Sequence, residues 1–153
     1  MLREERKIVA DDINFRLGSA QTRGVLCSIS STAGEVEVAA DPSGARVVGV
    51  LLMDTVNAGV PGNLSSDSGL DTGTASNERN FQKNETYVGG VVRLCRKGEI
   101  TTDAVDGAVA AGDTLYLAAN GEVSATQATG AQAVGHALSA KDADGFVKMF
   151  IDC

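Results

Sequence analysis

The chain has 153 residues, enough for one domain with a real core and too few for a separate second module. Its formal net charge of −7, from 13 Lys and Arg against 20 Asp and Glu, lacks the cationic field that a phosphate backbone demands and argues against nucleic acid as a partner. With no Trp, two Tyr and four Phe, the core must be built from Ala, Val and Leu, and 18 Gly against two Pro punctuate short apolar runs as turns do in barrels and sandwiches.

Residues 1–21 are charged and without a clean period, apart from Ile13, Phe15 and Leu17 at spacing two. They read as an extended N-terminal arm able to form a strand, with a neighbouring subunit as the expected partner. A single β domain follows over 22–153. Gly24-Val25-Leu26-Cys27-Ser28-Ile29 reads as a strand, Thr32-Ala33-Gly34 as a turn, and Glu35-Val36-Glu37-Val38 as a strand with one wet and one buried face. Asp41-Pro42-Ser43-Gly44 is a turn, because Pro fixes φ and Gly allows positive φ. The almost wholly apolar run 46–53 then predicts a central strand covered on both faces.

Residues 54–86, rich in Asn, Gly, Ser, Asp and Thr, read as a long polar loop within the domain, of the length that usually serves a contact. Strands resume at 88–95, with Arg96-Lys97-Gly98 expected to turn a hairpin into 99–102. The strand 114–117 and the run 122–125 flank Asn120-Gly121, the strongest hairpin signal in the chain. Runs at 133–138 and 146–151 finish the sheet.

The segment Gly44-Ala45-Arg46-Val47-Val48-Gly49-Val50-Leu51-Leu52 aligns without a gap on Gly130-Ala131-Gln132-Ala133-Val134-Gly135-His136-Ala137-Leu138, 86 positions later. Gly-Glu-Val precedes each copy, at 34–36 and 121–123. A strand-turn-strand unit used twice accounts for both, with Gly49 and Gly135 as bends or close backbone approaches. The expected fold is therefore all-β: a compact, Gly-rich β-barrel or β-sandwich with an internal strand-turn-strand repeat, an extended N-terminal arm and a long polar loop.

Little in the sequence carries chemistry. Cys27, Cys95 and Cys153 form no CxxC pair and are odd in number, which excludes the usual zinc spacings and a fully paired disulfide framework. The only histidine, His136, sits in an apolar run where the other copy has Val50, and reads as structural. Asp67 and Asp71 do not fit an EF-hand loop, and Gly89-Gly90 precedes a strand, where it cannot cradle phosphate. No catalytic residue, metal or cofactor is expected. The charged start does not look like a signal peptide, and no apolar run reaches the roughly 18 residues of a membrane span.

The stretch Asn77-Glu78-Arg79-Asn80-Phe81-Gln82-Lys83-Asn84-Glu85, continued by Val88-Gly89-Gly90-Val91-Val92-Arg93-Leu94-Cys95-Arg96-Lys97-Gly98-Glu99-Ile100-Thr101-Thr102, resembles structural proteins of phage virions. Ala111-Gly112-Asp113-Thr114-Leu115-Tyr116-Leu117, Asn120-Gly121-Glu122-Val123, Val134-Gly135 and Phe146-Val147-Lys148-Met149 look like the strand pattern of small capsid decoration, or cement, proteins of tailed phages. The resemblance spans about 45–153, and the Ser/Gly/Asp-rich insertion near 60–75 departs from it. It implies a non-enzymatic virion protein on the capsid exterior, made in the host cytoplasm. Such a protein binds the major capsid protein as a homotrimer and clamps neighbouring subunits, without nucleic acid or membrane as partner. Ile13, Phe15 and Leu17 in the arm and Arg79, Phe81 and Lys83 in the loop are the candidate capsid or subunit contacts. The alternatives are another virion component, such as a fibre base or tail protein, and a ligand-binding β module.

Overall fold

The computed structural model describes residues 7–56 and 85–153, with side chains for 15–56 and 86–153. Twelve strands lie among them: β1 (Lys7–Leu17), β2 (Leu26–Ile29), β3 (Glu35–Val38), β4 (Val47–Leu51), β5 (Asp54–Val56), β6 (Glu85–Tyr87), β7 (Val91–Thr102), β8 (Val105–Asp106), β9 (Thr114–Leu117), β10 (Val123–Ser124), β11 (Ala133–Ala137) and β12 (Val147–Asp152). The chain is all-β and contains a closed five-strand barrel. β1 pairs in parallel with β3; the antiparallel pairs β3–β2, β2–β4, β4–β7 and β7–β1 complete the ring.

A second unit grows from the far half of β7. There β12 pairs with Lys97–Thr102 positions, then β11, β9 and β10 follow in antiparallel order, and β10 meets β8 in parallel. Since β8 begins at Val105, just after β7 ends at Thr102, the far half of β7 and β8 together occupy the place that β1 has in the first barrel. β1 likewise pairs antiparallel with a long strand through most of its length and parallel with β3 through Arg16 and Leu17.

The two units also share register. Leu26, Cys27 and Ser28 face Val50, Gly49 and Val47, with an irregularity at the last step. Thr114, Leu115 and Tyr116 face His136, Gly135 and Ala133, with an irregularity at the same step. Strands β4 and β11 are the apolar runs of the two similar sequence segments. Their glycines permit close backbone approach: a Cβ on Gly49 would stand 2.7 Å from the Cys95 carbonyl oxygen, and one on Gly135 would overlap the Phe150 carbonyl oxygen. Cys95 and Phe150 hold matching places, opposite Val50 and His136.

Alternation across the strands divides the buried residues into two cores. Leu17, Cys27, Val36, Leu51, Val92 and Leu94 form one, belonging to the first barrel. Their neighbours on the opposite face of the same strands, Leu26, Val50 and Cys95, join the second, with Leu115, Leu117, Val134, Met149 and Ile151 of the other unit. The wall made by β2, β4 and β7 is therefore buried on both sides, as the run 46–53 predicts, and each fully buried Leu or Ile contributes about 1.5–3 kcal/mol by burial. Hydrogen bonds cross the seam between the units. The Val47 amide donates to Gln132 Oε1 (3.1 Å), the Thr102 hydroxyl to the Gly24 carbonyl (3.2 Å), and the Gly121 amide to the Ala39 carbonyl (2.8 Å).

Three sequence expectations change. Arg96-Lys97-Gly98 is not a hairpin turn: β7 runs through it unbroken, with Gly98 paired to both Ile8 and Ile151. The segment read as an arm is a strand over Lys7–Leu17, but it pairs with β7 and β3 of its own chain, because the first barrel closes only through it. The stretch 54–86 begins and ends in β structure, since β5 and β6 pair in parallel, Asp54 with Glu85 and Val56 with Tyr87. That small sheet is tied to the chain before β2: the Thr55 hydroxyl donates to the Ser19 carbonyl (2.7 Å), and the Arg23 amide donates to Asp54 Oδ1 (2.7 Å). Residues 57–84 lie outside the described ones. The Asn120-Gly121 turn is as expected, a short 3-10 turn over Ala119–Gly121 with both residues at positive φ, 59° and 74°.

Candidate functional site

At Arg96, β7 exchanges one neighbour for another. Cys95 faces Val50 of β4, whereas Lys97 faces Asp152 of β12, and the Cys153 amide donates to the Arg96 carbonyl at 2.9 Å. Strands β4 and β12 part at this point, and a half-open groove of about 850 Å³ lies at the seam of the two units. Phe15 and Val48, which pack on the first core, line one side. Val47 and Cys153, which belong to the second, line the other, together with Gln132. Ile29, 46% exposed, stands at the rim, and the exposed Arg46 and Arg96 are the only charged side chains in the lining among the described residues.

The local sequence explains this placement. Arg46 directly precedes the apolar run of β4 and stays in solvent while its neighbour Val47 is buried. Arg96 follows buried Cys95 in β7 and therefore points to the opposite face. Neither guanidinium forms an ion pair among the described residues. The Cys153 thiol is pushed up to about 12, chiefly by burial and further by Cys95 and Asp152, against a lowering by Arg96. It is protonated at neutral pH and a poor nucleophile. The described lining of the groove is thus apolar along its floor and cationic at its edges.

His136 lies elsewhere. It is exposed on the outer face of β11 and stacks on Phe150, with ring centroids 5.4 Å apart. Its counterpart Val50 faces the second unit and is buried, while nothing among the described residues covers the second unit's own outer face, where His136 stands. Lys97 sits 5.9 Å from the Phe150 ring and pairs with Asp152 at 2.8 Å. Among the described residues no group of three or more His, Cys, Asp and Glu is placed to hold a metal ion.

Of the contacts expected from sequence, Phe15 is half-buried at the groove. Leu17 is fully buried in the first core, so its side chain is taken up inside its own chain and cannot serve as a contact. Ile13 lies on β1, and its side chain is not among those described. Arg79, Phe81 and Lys83 fall outside the described residues. Ile29, Arg46 and Arg96 were not singled out by the sequence. The available signal was the alignment of the similar segments, which sets Arg46 against Gln132 in otherwise matching apolar surroundings. No protein-family model matches the chain, and no curated protein sequence matches it.

Proposed function

We propose that the chain is a capsid decoration protein of a tailed phage, which binds the outside of the assembled shell as a homotrimer and clamps neighbouring major capsid subunits. What supports this reading is the likeness of 77–85 and 88–102 to structural proteins of phage virions, and of 111–117, 120–123, 134–135 and 146–149 to small decoration proteins. Residues 91–102 are β7 and the segments from 111 onward lie in the second unit, while 77–84 lie outside the described residues. The all-β fold, with its wall buried on both faces, suits a part that must stay rigid under load.

The physics of clamping is mass action. A protein that binds the mature lattice and not the dispersed subunits stabilises the lattice at each site it occupies, by an amount that grows with the logarithm of its free concentration above Kd, and many copies make the sum large. No catalytic step is part of the role. The test is sedimentation of mature capsids that lack the chain after mixing with the purified protein. Saturable co-migration supports decoration, and a chain that remains in the supernatant at every ratio rules it out.

A further inference from the structure

The matching registers of the two units show where the first one is left unfilled. Ile29 faces Val36 across β2 and β3 as Leu117 faces Val123 across β9 and β10. Leu117 is fully buried, yet Ile29 is 46% exposed. Arg96 follows Cys95 on β7 as Ile151 follows Phe150 on β12, and Ile151 is fully buried while Arg96 is exposed. Val48 is half-buried where its counterpart Val134 is fully buried. All three positions line or border the seam groove, so the gap is one coherent site in a framework whose other copy is packed shut.

We propose that this groove docks an extended acidic segment of a partner protein, which seats an apolar side chain against Ile29 and Val48 and places flanking carboxylates on Arg46 and Arg96. Charge complementarity selects the partner. In a chain of net charge −7, the described residues of the groove lining include two arginines and no acidic side chain, and neither arginine has an ion-pair partner among the described residues. Guanidinium groups pair with carboxylates through two parallel hydrogen bonds, which gives direction as well as attraction. The shape selects an extended chain. A small ligand needs most of its surface covered, and a half-open groove cannot do that. A strand-like segment, with side chains alternating at a period of two, drops one residue onto the apolar floor and offers its neighbours to the rim. The site goes beyond capsid decoration, since its occupant is defined by chemistry and need not come from a shell.

The test is fluorescence anisotropy with a fluorescein-labelled peptide of alternating aspartate and leucine, titrated with the intact protein. Saturable binding is expected, weakened about ten-fold in Arg46→Gln/Arg96→Gln and by a similar factor in Ile29→Ser. All three residues are exposed, so these variants should retain the wild-type circular dichroism and melting temperature. Higher salt should weaken binding in parallel, because the arginines are at the surface. Peptides of alternating lysine and leucine, or of aspartate and serine, should bind far more weakly. Absence of binding, equal binding by the variants, or equal binding of the aspartate-serine peptide would overturn the proposal. A wild-type dimer that the double arginine variant converts to monomer would overturn it as well, by giving the groove to a second copy of the chain. Because no capsid enters the experiment, its outcome is independent of the sedimentation test.

Discussion

Ile29 and Leu117 stand at matching points of two strands with the same register, yet one is 46% exposed and the other is sealed inside the second core. Their substitutions should therefore separate cleanly. Leu117→Ala removes packed methyl groups and leaves a cavity, at a cost of about 2–5 kcal/mol. Ile29→Ser should cost about 0.5 kcal/mol or less, as at an ordinary surface site. Urea denaturation of the two variants checks this, and similar midpoints would show that the rim of the groove is closed in solution.

Gly49 and Gly135 are constrained by the backbone that faces them, the carbonyls of Cys95 and Phe150. Alanine at either position forces one strand away from its neighbour and should destabilise by about 1–3 kcal/mol or more, with Gly135 the worse because it is also at positive φ, 157°. Gly18→Ala is the control. A Cβ there meets nothing nearer than a Glu35 carboxylate oxygen at 3.8 Å, so the change should be neutral or slightly stabilising. Thermal melts of the three variants give the comparison.

The Cys27 thiol is pushed up from 9.0 to about 12 by burial. The folded state thus holds its proton more tightly than the unfolded chain does. Stability from this group is fully present below pH 9 and declines between pH 9 and 12, at about 1.4 kcal/mol per pH unit. Urea midpoints measured from pH 7 to 11 should be flat up to about 9 and then fall, and Cys27→Ala should make the alkaline limb shallower while leaving the part contributed by Cys153. At pH 8 the native protein should react slowly with a disulfide reagent such as DTNB, and all three thiols should react at once after unfolding, since none is in a disulfide.

What was legible in the sequence was mostly local. Asn120-Gly121 specifies its own turn, because both residues tolerate positive φ, and the apolar run 46–53 announces a strand covered on both faces. The spacing of Ile13, Phe15 and Leu17 marks a strand as well, but alternation says nothing of the partner, and the closure of β1 onto β7 joins residues about 80 positions apart. Arg96-Lys97-Gly98 misled for the opposite reason. Its composition suits a turn, while its conformation is set by β1 on one edge and by the change from β4 to β12 on the other. The groove was hidden for the same cause, since Arg46 and Arg96 meet only where those two strands diverge.

The measurement that bears most directly on capsid decoration is differential scanning calorimetry of mature capsids lacking the protein, bare and with increasing amounts of it added. Decoration predicts that the melting temperature of the shell rises as the sites fill and then climbs only slowly, with the logarithm of excess protein, while dispersed capsid subunits are unaffected. A shell transition that does not move at saturating protein would contradict it.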